Sequence, residues 1–228
     1  MKFVTGFHLT HFFIVVSAIF ISSCAGFNEA YDDRVCWDGL SGGVPIQCNE
    51  VFINFQCPED LASVNSKLIA RNKKIVIRPV VGYSAPKVGE LFSQNGSIPI
   101  FVKNGSPWET LRDDVKQILR QTGYEVRSNP DGSESVIEAD MKFLDVRTNP
   151  VGWFDLKGTT QATASFRVIL RKNTGEELWA EDFTGKHQIQ VAYAYLSDSE
   201  NTLGQAYCRA LENFAHTAQS ESFYKKLR

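Results

Sequence analysis

Apolar residues recur at every second position through Ile137, Ala139, Met141 and Phe143, and again through Ala162, Ala164, Phe166, Val168 and Leu170. A period of two marks a strand with one buried and one wet face, so a chain with two such runs has to build a sheet covered on one side. Glu138, Asp140 and Lys142 take the opposite positions of the first run, and Gln161, Thr163, Ser165, Arg167 and Ile169 those of the second. Asn173-Thr174-Gly175 closes a hairpin into Glu177 to Phe183. The β-branched run Lys74 to Val81 reads as another strand, with Pro79 near an edge or a bulge, and Ile98 to Val102 as a short one. The Gly-, Ser- and Pro-rich stretch between those two reads as a loop.

Two helices supply the cover. Ser106 is placed to be an N-cap, with Pro107 at N1, Glu109 at N3 completing a capping box, and Gly123 as the stop. Trp108, Leu111, Val115, Ile118 and Leu119 fall on one face of that helix. A last helix is expected from about Ser199 to Gln219, with Leu203, Tyr207, Ala210, Leu211 and Phe214 on its apolar face, Cys208 beside them, and a final turn around Phe223. The expected fold is α+β and two-layered, a mainly antiparallel sheet with two helices packed on one face.

Residues 1–23 read as a secretory signal, one positive charge at Lys2 leading into the uncharged run Phe12 to Ile21. That run is short for a membrane span, and an uncleaved anchor is the alternative reading. Ile21-Ser22-Ser23-Cys24 resembles the bacterial lipobox, which implies lipidation of the Cys24 thiol and cleavage before it. More than one acyl chain makes such anchoring stable. Ala25 is not the Asp that retains lipoproteins at the inner membrane, so the resemblance implies the outer membrane, facing the periplasm, in a diderm host. An expected tether or appendage, residues 24–73, bears Cys36, Cys48 and Cys57 and a candidate helix from Pro58 to Arg71. The main domain is expected over 74–228.

Removing residues 1–23 takes away Lys2 alone, leaving 23 basic and 26 acidic residues and a net charge of −3. Nothing in that balance calls for nucleic acid. Export places Cys36, Cys48, Cys57 and Cys208 where disulfides persist. Spacing favours Cys36 with Cys48, or Cys48 with Cys57, and does not choose between them. A zinc site is poorly supported: no Cys-x-x-Cys occurs, and the only histidines past the signal are His187 and His216.

From Lys74 to Leu227 the order of elements resembles the YajG-like family of envelope lipoproteins. The likeness is carried by the lipobox, Leu119-Arg120-Gln121-Thr122-Gly123-Tyr124-Glu125-Val126, the hairpin at Asn173-Thr174-Gly175, and Phe223-Tyr224-Lys225-Lys226 after the last helix. The segment Tyr31 to Cys57 departs from the family pattern. The resemblance implies a small lipoprotein with no catalytic signature.

No phosphate loop, nucleophile elbow or dinucleotide fingerprint is present, and no cofactor or metal is implied. His187, on or just after a strand, and His216, within the last helix, read as ordinary surface or hydrogen-bonded histidines rather than bases. Glu138 and Asp140 share a strand face with Lys142 and read as a solvated charged surface. Two aromatic segments suit an interface: Trp153 and Phe154 in a turn-rich connection, Tyr193 and Tyr195 before the last helix. Folding back as lids over the sheet is the alternative for them. The chain therefore reads as a non-enzymatic, lipid-anchored envelope protein that binds another envelope protein, with a carrier of lipid or another apolar ligand as the second reading.

Overall fold

The computed structural model describes residues 51–54, 56–57, 73–78, 87–93, 96–102, 106–127, 135–149, 158–191 and 196–227, all within the compact unit 38–228. The strands are β1 (Val51–Ile53), β2 (Lys74–Arg78), β3 (Lys87–Ser93), β4 (Gly96–Val102), β5 (Glu125–Arg127), β6 (Ser135–Asn149), β7 (Gly158–Arg171) and β8 (Glu177–Val191). The helices are α1 (Pro107–Gln121), α2 (Leu196–Gln219) and the short α3 (Glu221–Lys226). The candidate helix at 58–71 lies outside the described residues.

All eight strands join one sheet, and β6 is its hub. One edge of β6 pairs with β7 antiparallel from Val136 to Asn149. Its other edge carries two parallel partners in series, β2 at Ser135–Glu138 and β3 at Val146–Thr148. β5 reaches the sheet through β2, and β4 and β1 through β3. The sheet is thus mixed rather than mainly antiparallel: four of its seven strand pairings are parallel, although the long β6–β7 and β7–β8 ladders are antiparallel. The parallel pairings join strands distant in sequence, which local alternation does not report. β1 also carries the sheet upstream of Lys74, where the regular domain was expected to begin, and Ile53 is fully buried.

The expected alternation holds along β7, where Ala162 to Leu170 face inward at every second residue. Along β6 it breaks. A bulge at Lys142 shifts the register, so that Met141 stands opposite Phe166 while Leu144, not Phe143, stands opposite Ala164. An extra residue in one strand reverses which face the following side chains take. Val146 and Thr148 are therefore buried, and Phe143, expected inside, is 48% exposed.

Helix α1 starts where its capping signal lies: the Ser106 hydroxyl accepts from Trp108 N at 3.3 Å, and Leu111, Val115, Ile118 and Leu119 are buried. Helix α2 runs along β8, β7 and β6, burying Leu203, Tyr207, Ala210, Leu211 and Phe214. Phe214, Phe166, Phe183, Trp179 and Phe223 form a chain of ring contacts with centroids 5.2–6.5 Å apart, mostly edge-to-face. Such pairs add about 0.5–1.5 kcal/mol each beyond the area they bury. α3 contributes Phe223 to this chain and is capped by Ser220, whose hydroxyl accepts from Phe223 N at 3.1 Å.

Helix α2 also closes the outer edge of β8. Arg209 Nη1 donates to Lys186 O at 2.6 Å and Asn213 Nδ2 to Thr184 O at 3.2 Å, so two side chains one turn apart occupy carbonyls that an edge strand leaves open. Gly185, between those carbonyls, permits the approach: a Cβ there would stand 2.0 Å from Ala206 O and 2.6 Å from Ala210 N.

Cys57 and Cys208 form a disulfide across 151 residues of sequence. This pairing excludes Cys48 with Cys57, which spacing had favoured. The two cysteines meet because residues 56–57 cross α2 one turn after Gly204, whose missing Cβ would lie 2.8 Å from Gln56 O. In the chain-entropy account a loop of this size is worth about 5 kcal/mol.

Two expectations follow. Gly185→Ala should cost about 1–3 kcal/mol or more, read from the urea midpoint, because the added methyl meets helix backbone. Cys57→Ser should cost at least about 2–4 kcal/mol relative to the oxidised protein, and reductant should bring the parent chain to the same midpoint.

Candidate functional site

The far end of the long ladders is where the chain places its aromatic connections. Asn149 closes β6 opposite Thr159, and Gly158, which opens β7, stands opposite Val191, which closes β8. The connections 150–157 and 192–195 therefore leave the sheet from neighbouring rungs. Trp153 and Phe154 belong to the first and Tyr193 and Tyr195 to the second; all four lie outside the described residues. Beneath these roots, Thr148 Oγ1 lies 3.2 Å from Thr160 Oγ1 and 3.0 Å from Ser199 Oγ, and all three residues are fully buried. Buried hydroxyls that satisfy one another fix position as well as contribute stability. Here they tie the first turn of α2 to β6 and β7.

Midway along β6, the bulge opens a second feature, a cleft of about 440 Å³ whose apolar lining is Trp108, Met141, Phe143 and Leu144. Among the described residues Phe143 is the one large apolar side chain classed as exposed. The charges at the rim are matched: Lys87 with Glu90, Lys142 with Asp140, and Arg147 with Asp145 at 2.8 Å. An apolar floor inside a neutralised polar rim is the layout of a protein contact. Its charges are engaged with one another rather than converging on one point, as acid–base chemistry would need.

The remaining candidates resolve individually. Glu138 pairs with Arg171 at 3.0 Å and Asp140 with Lys142, so these two acids form separate ion pairs. His187 falls on a strand, within β8 and opposite Ala162. Its Nδ1 is buried without a hydrogen-bond partner, and burial together with the charge of Arg209 holds the imidazole below its usual pKa, favouring the neutral ring. His216 is exposed on α2. Cys57 and Cys208 are joined, whereas Cys24, Cys36 and Cys48 lie outside the described residues. Among the described residues no group of three or more His, Cys, Asp or Glu is arranged to hold a metal.

One buried polar contact joins the helices. The Tyr207 hydroxyl donates to Asp114 Oδ2 at 2.7 Å, with Tyr207 fully buried in α2 and Asp114 part-buried in α1. Burial raises the Asp114 carboxyl above the usual range; the Tyr207 hydrogen bond opposes this, and Asp113 adds to it. Tyr207 is pushed well above its usual value, first by burial and then by the Asp114 charge. The sequence places Tyr207 on the apolar face of the last helix, where it is buried, but it does not distinguish Asp114 or the contact between them.

No family model matches the chain, and no curated protein matches it. Among solved structures it is similar to protein XCC0632 from Xanthomonas campestris, described under DUF330, at 9% identity over 76% of this chain and 94% of that one, with a TM-score of 0.44. It is also similar to a minor lipoprotein from Acinetobacter baumannii, at 12% identity over 70% and 96% of the two chains and a TM-score of 0.35. A third is the hypothetical protein CT253 from Chlamydia trachomatis, at 11% identity over 65% and 96% and a TM-score of 0.37. None carries the YajG-like name, and likeness of this depth assigns no family.

The Asp114 contact has a definite pH signature. A carboxyl whose folded pKa is raised binds protons more tightly in the native state, so its contribution declines as pH rises from the unfolded value through the folded one. Asp114→Asn, which keeps an acceptor for Tyr207, should be at least as stable as the parent at neutral pH, and its advantage should shrink towards acid. Urea midpoints across that range measure the difference.

Proposed function

We propose that the chain is a non-catalytic accessory lipoprotein of a bacterial cell envelope, anchored through lipid on Cys24, whose folded domain binds another envelope protein. The observation that carries this reading is the common root of the two aromatic connections on the last rungs of β6, β7 and β8. Trp and Tyr are enriched among the residues that dominate binding energy, and two such segments rooted side by side on a rigid ladder make a concentrated contact. The hydroxyl triad ties together the strands and the helix from which those connections spring. Phe143 in the bulge cleft supplies a second apolar contact on the same strand.

The anchor is read from Ile21-Ser22-Ser23-Cys24. A disulfide joining Cys57 to Cys208 agrees with export to an oxidising compartment. Among the described residues no helix is long and apolar enough to cross a membrane. The carrier reading is less favoured, because the space between helices and sheet is filled by Phe166, Phe183, Phe214 and Phe223.

The test is crosslinking of the full-length protein in its native membrane, followed by mass spectrometry of what co-purifies. Trp153→Ala with Phe154→Ala should abolish capture of the partner while leaving the urea midpoint within about 0.5 kcal/mol of the parent. Undiminished capture by that folded double variant would remove the proposed contact. Cys24→Ser should lose lipid labelling; a variant still labelled and processed like the parent would remove the anchor.

A further inference from the structure

The cations of β6, β7 and β8 are matched with one exception. Lys142 pairs with Asp140, Arg147 with Asp145, Arg167 with Asp182 at 3.9 Å, and Arg171 with Glu138 and Glu177. Among the described residues Lys186 has no acidic partner, although it stands one rung across from Thr163, which is itself opposite Asp145. Asp145 is already held by Arg147. A lone lysine on an edge strand commonly blocks pairing with other chains. That role is already filled here, since Arg209 and Asn213 occupy the Lys186 and Thr184 carbonyls.

Arg209 adds a second unmatched charge at the same place. It reaches over β8 to the Lys186 carbonyl, so its guanidinium is fixed while carrying no carboxylate partner among the described residues. Lys186, Arg209 and His187 line a cleft of about 440 Å³ together with Gln161, Thr163 and Gln188, whose amides and hydroxyl add uncharged donors; the Asp145 carboxylate also lines it and is neutralised there by Arg147 at 2.8 Å. Beside this cleft the His187 Nδ1 is buried without a hydrogen-bond partner.

We propose that this cleft binds a phosphate-class oxyanion, held by the Lys186 ammonium and the Arg209 guanidinium. Arg209 presents a pre-oriented planar donor set and Lys186 a mobile point charge, the two modes by which side chains hold phosphate. The same chemistry is offered by the headgroup of an anionic phospholipid and by soluble phosphate. The proposal does not depend on the partner-binding reading.

The experiment uses the full chain in zwitterionic micelles, with the His187 ring and Lys186 side-chain resonances followed by NMR. The probes are inorganic phosphate and dihexanoyl phosphatidic acid, against dihexanoyl phosphatidylcholine as control. A saturable shift of both residues is expected with a phosphate probe and not with the phosphatidylcholine. Lys186→Gln should weaken it about tenfold, the loss expected for one charge-assisted contact, and Lys186→Arg should restore it. Lys225→Gln, a distant exposed cation, should leave it unchanged. Tighter saturation by phosphatidic acid identifies the lipid headgroup as the source, and equal or tighter saturation by inorganic phosphate identifies the soluble ion. No saturable shift with either phosphate probe, or a shift that Lys186→Gln leaves unaltered, overturns the proposal.

Discussion

Strand β6 serves three partners, and each pairing outside the β7–β8 hairpin and the β3–β4, β1–β4 and β2–β5 attachments is made by it. Along one edge it has a continuous antiparallel neighbour; along the other it changes partner between Glu138 and Val146. The bulge at Lys142 sits in that interval. A bulge bends a strand and increases its local twist. β2 and β3 can therefore occupy one edge in succession without being collinear. The cost is one apolar side chain, Phe143, turned to solvent; the result is a cleft beside the bulge.

The second layer depends on closeness as well as on apolar area. α2 brings a row of large side chains onto the aromatic chain around Phe166 and Phe183, yet the helix settles directly against β8 only where Gly185 leaves room. Polar groups complete the seam: Tyr124 Oη donates to Ala218 O at 2.9 Å, Tyr207 reaches Asp114, and Arg209 and Asn213 cover the strand edge. A sheet edge that would otherwise present open carbonyls is thus used to hold the helix.

Much of this arrangement was legible from local pattern. Ser106 and Pro107 mark the start of α1, alternation marks the inward row of β7, and Leu203 to Phe214 mark the buried face of α2. β3 was not legible. It runs through residues read as loop, because it contains Gly89 where its backbone passes Val146 so closely that a Cβ would lie 2.2 Å from the Val146 carbonyl. The phase change in β6 has a signal that could have been used: Ile137, Ala139 and Met141 occupy odd positions, whereas Leu144 and Val146 occupy even ones. The Cys57–Cys208 pairing was hidden because spacing ranks short loops first, while topology brings residues 56–57 across α2. The aromatic segments stood out by composition, but their shared root required the register of Asn149, Gly158 and Val191. The isolation of Lys186 emerged only once the neighbouring cations had found their acids.

The long disulfide also decides how the domain bears load. A pull on the segment preceding β1 first meets three residues paired with β4, a short ladder that can yield. It next meets Cys57, and from there tension passes directly to Cys208 in α2, bypassing the 150 residues between them. The hub strand, the bulge cleft and the roots of both aromatic connections all lie inside that covalent bypass. Tension applied upstream of Cys57 would therefore reach the last helix through a covalent link, without first passing along the strands between the two cysteines.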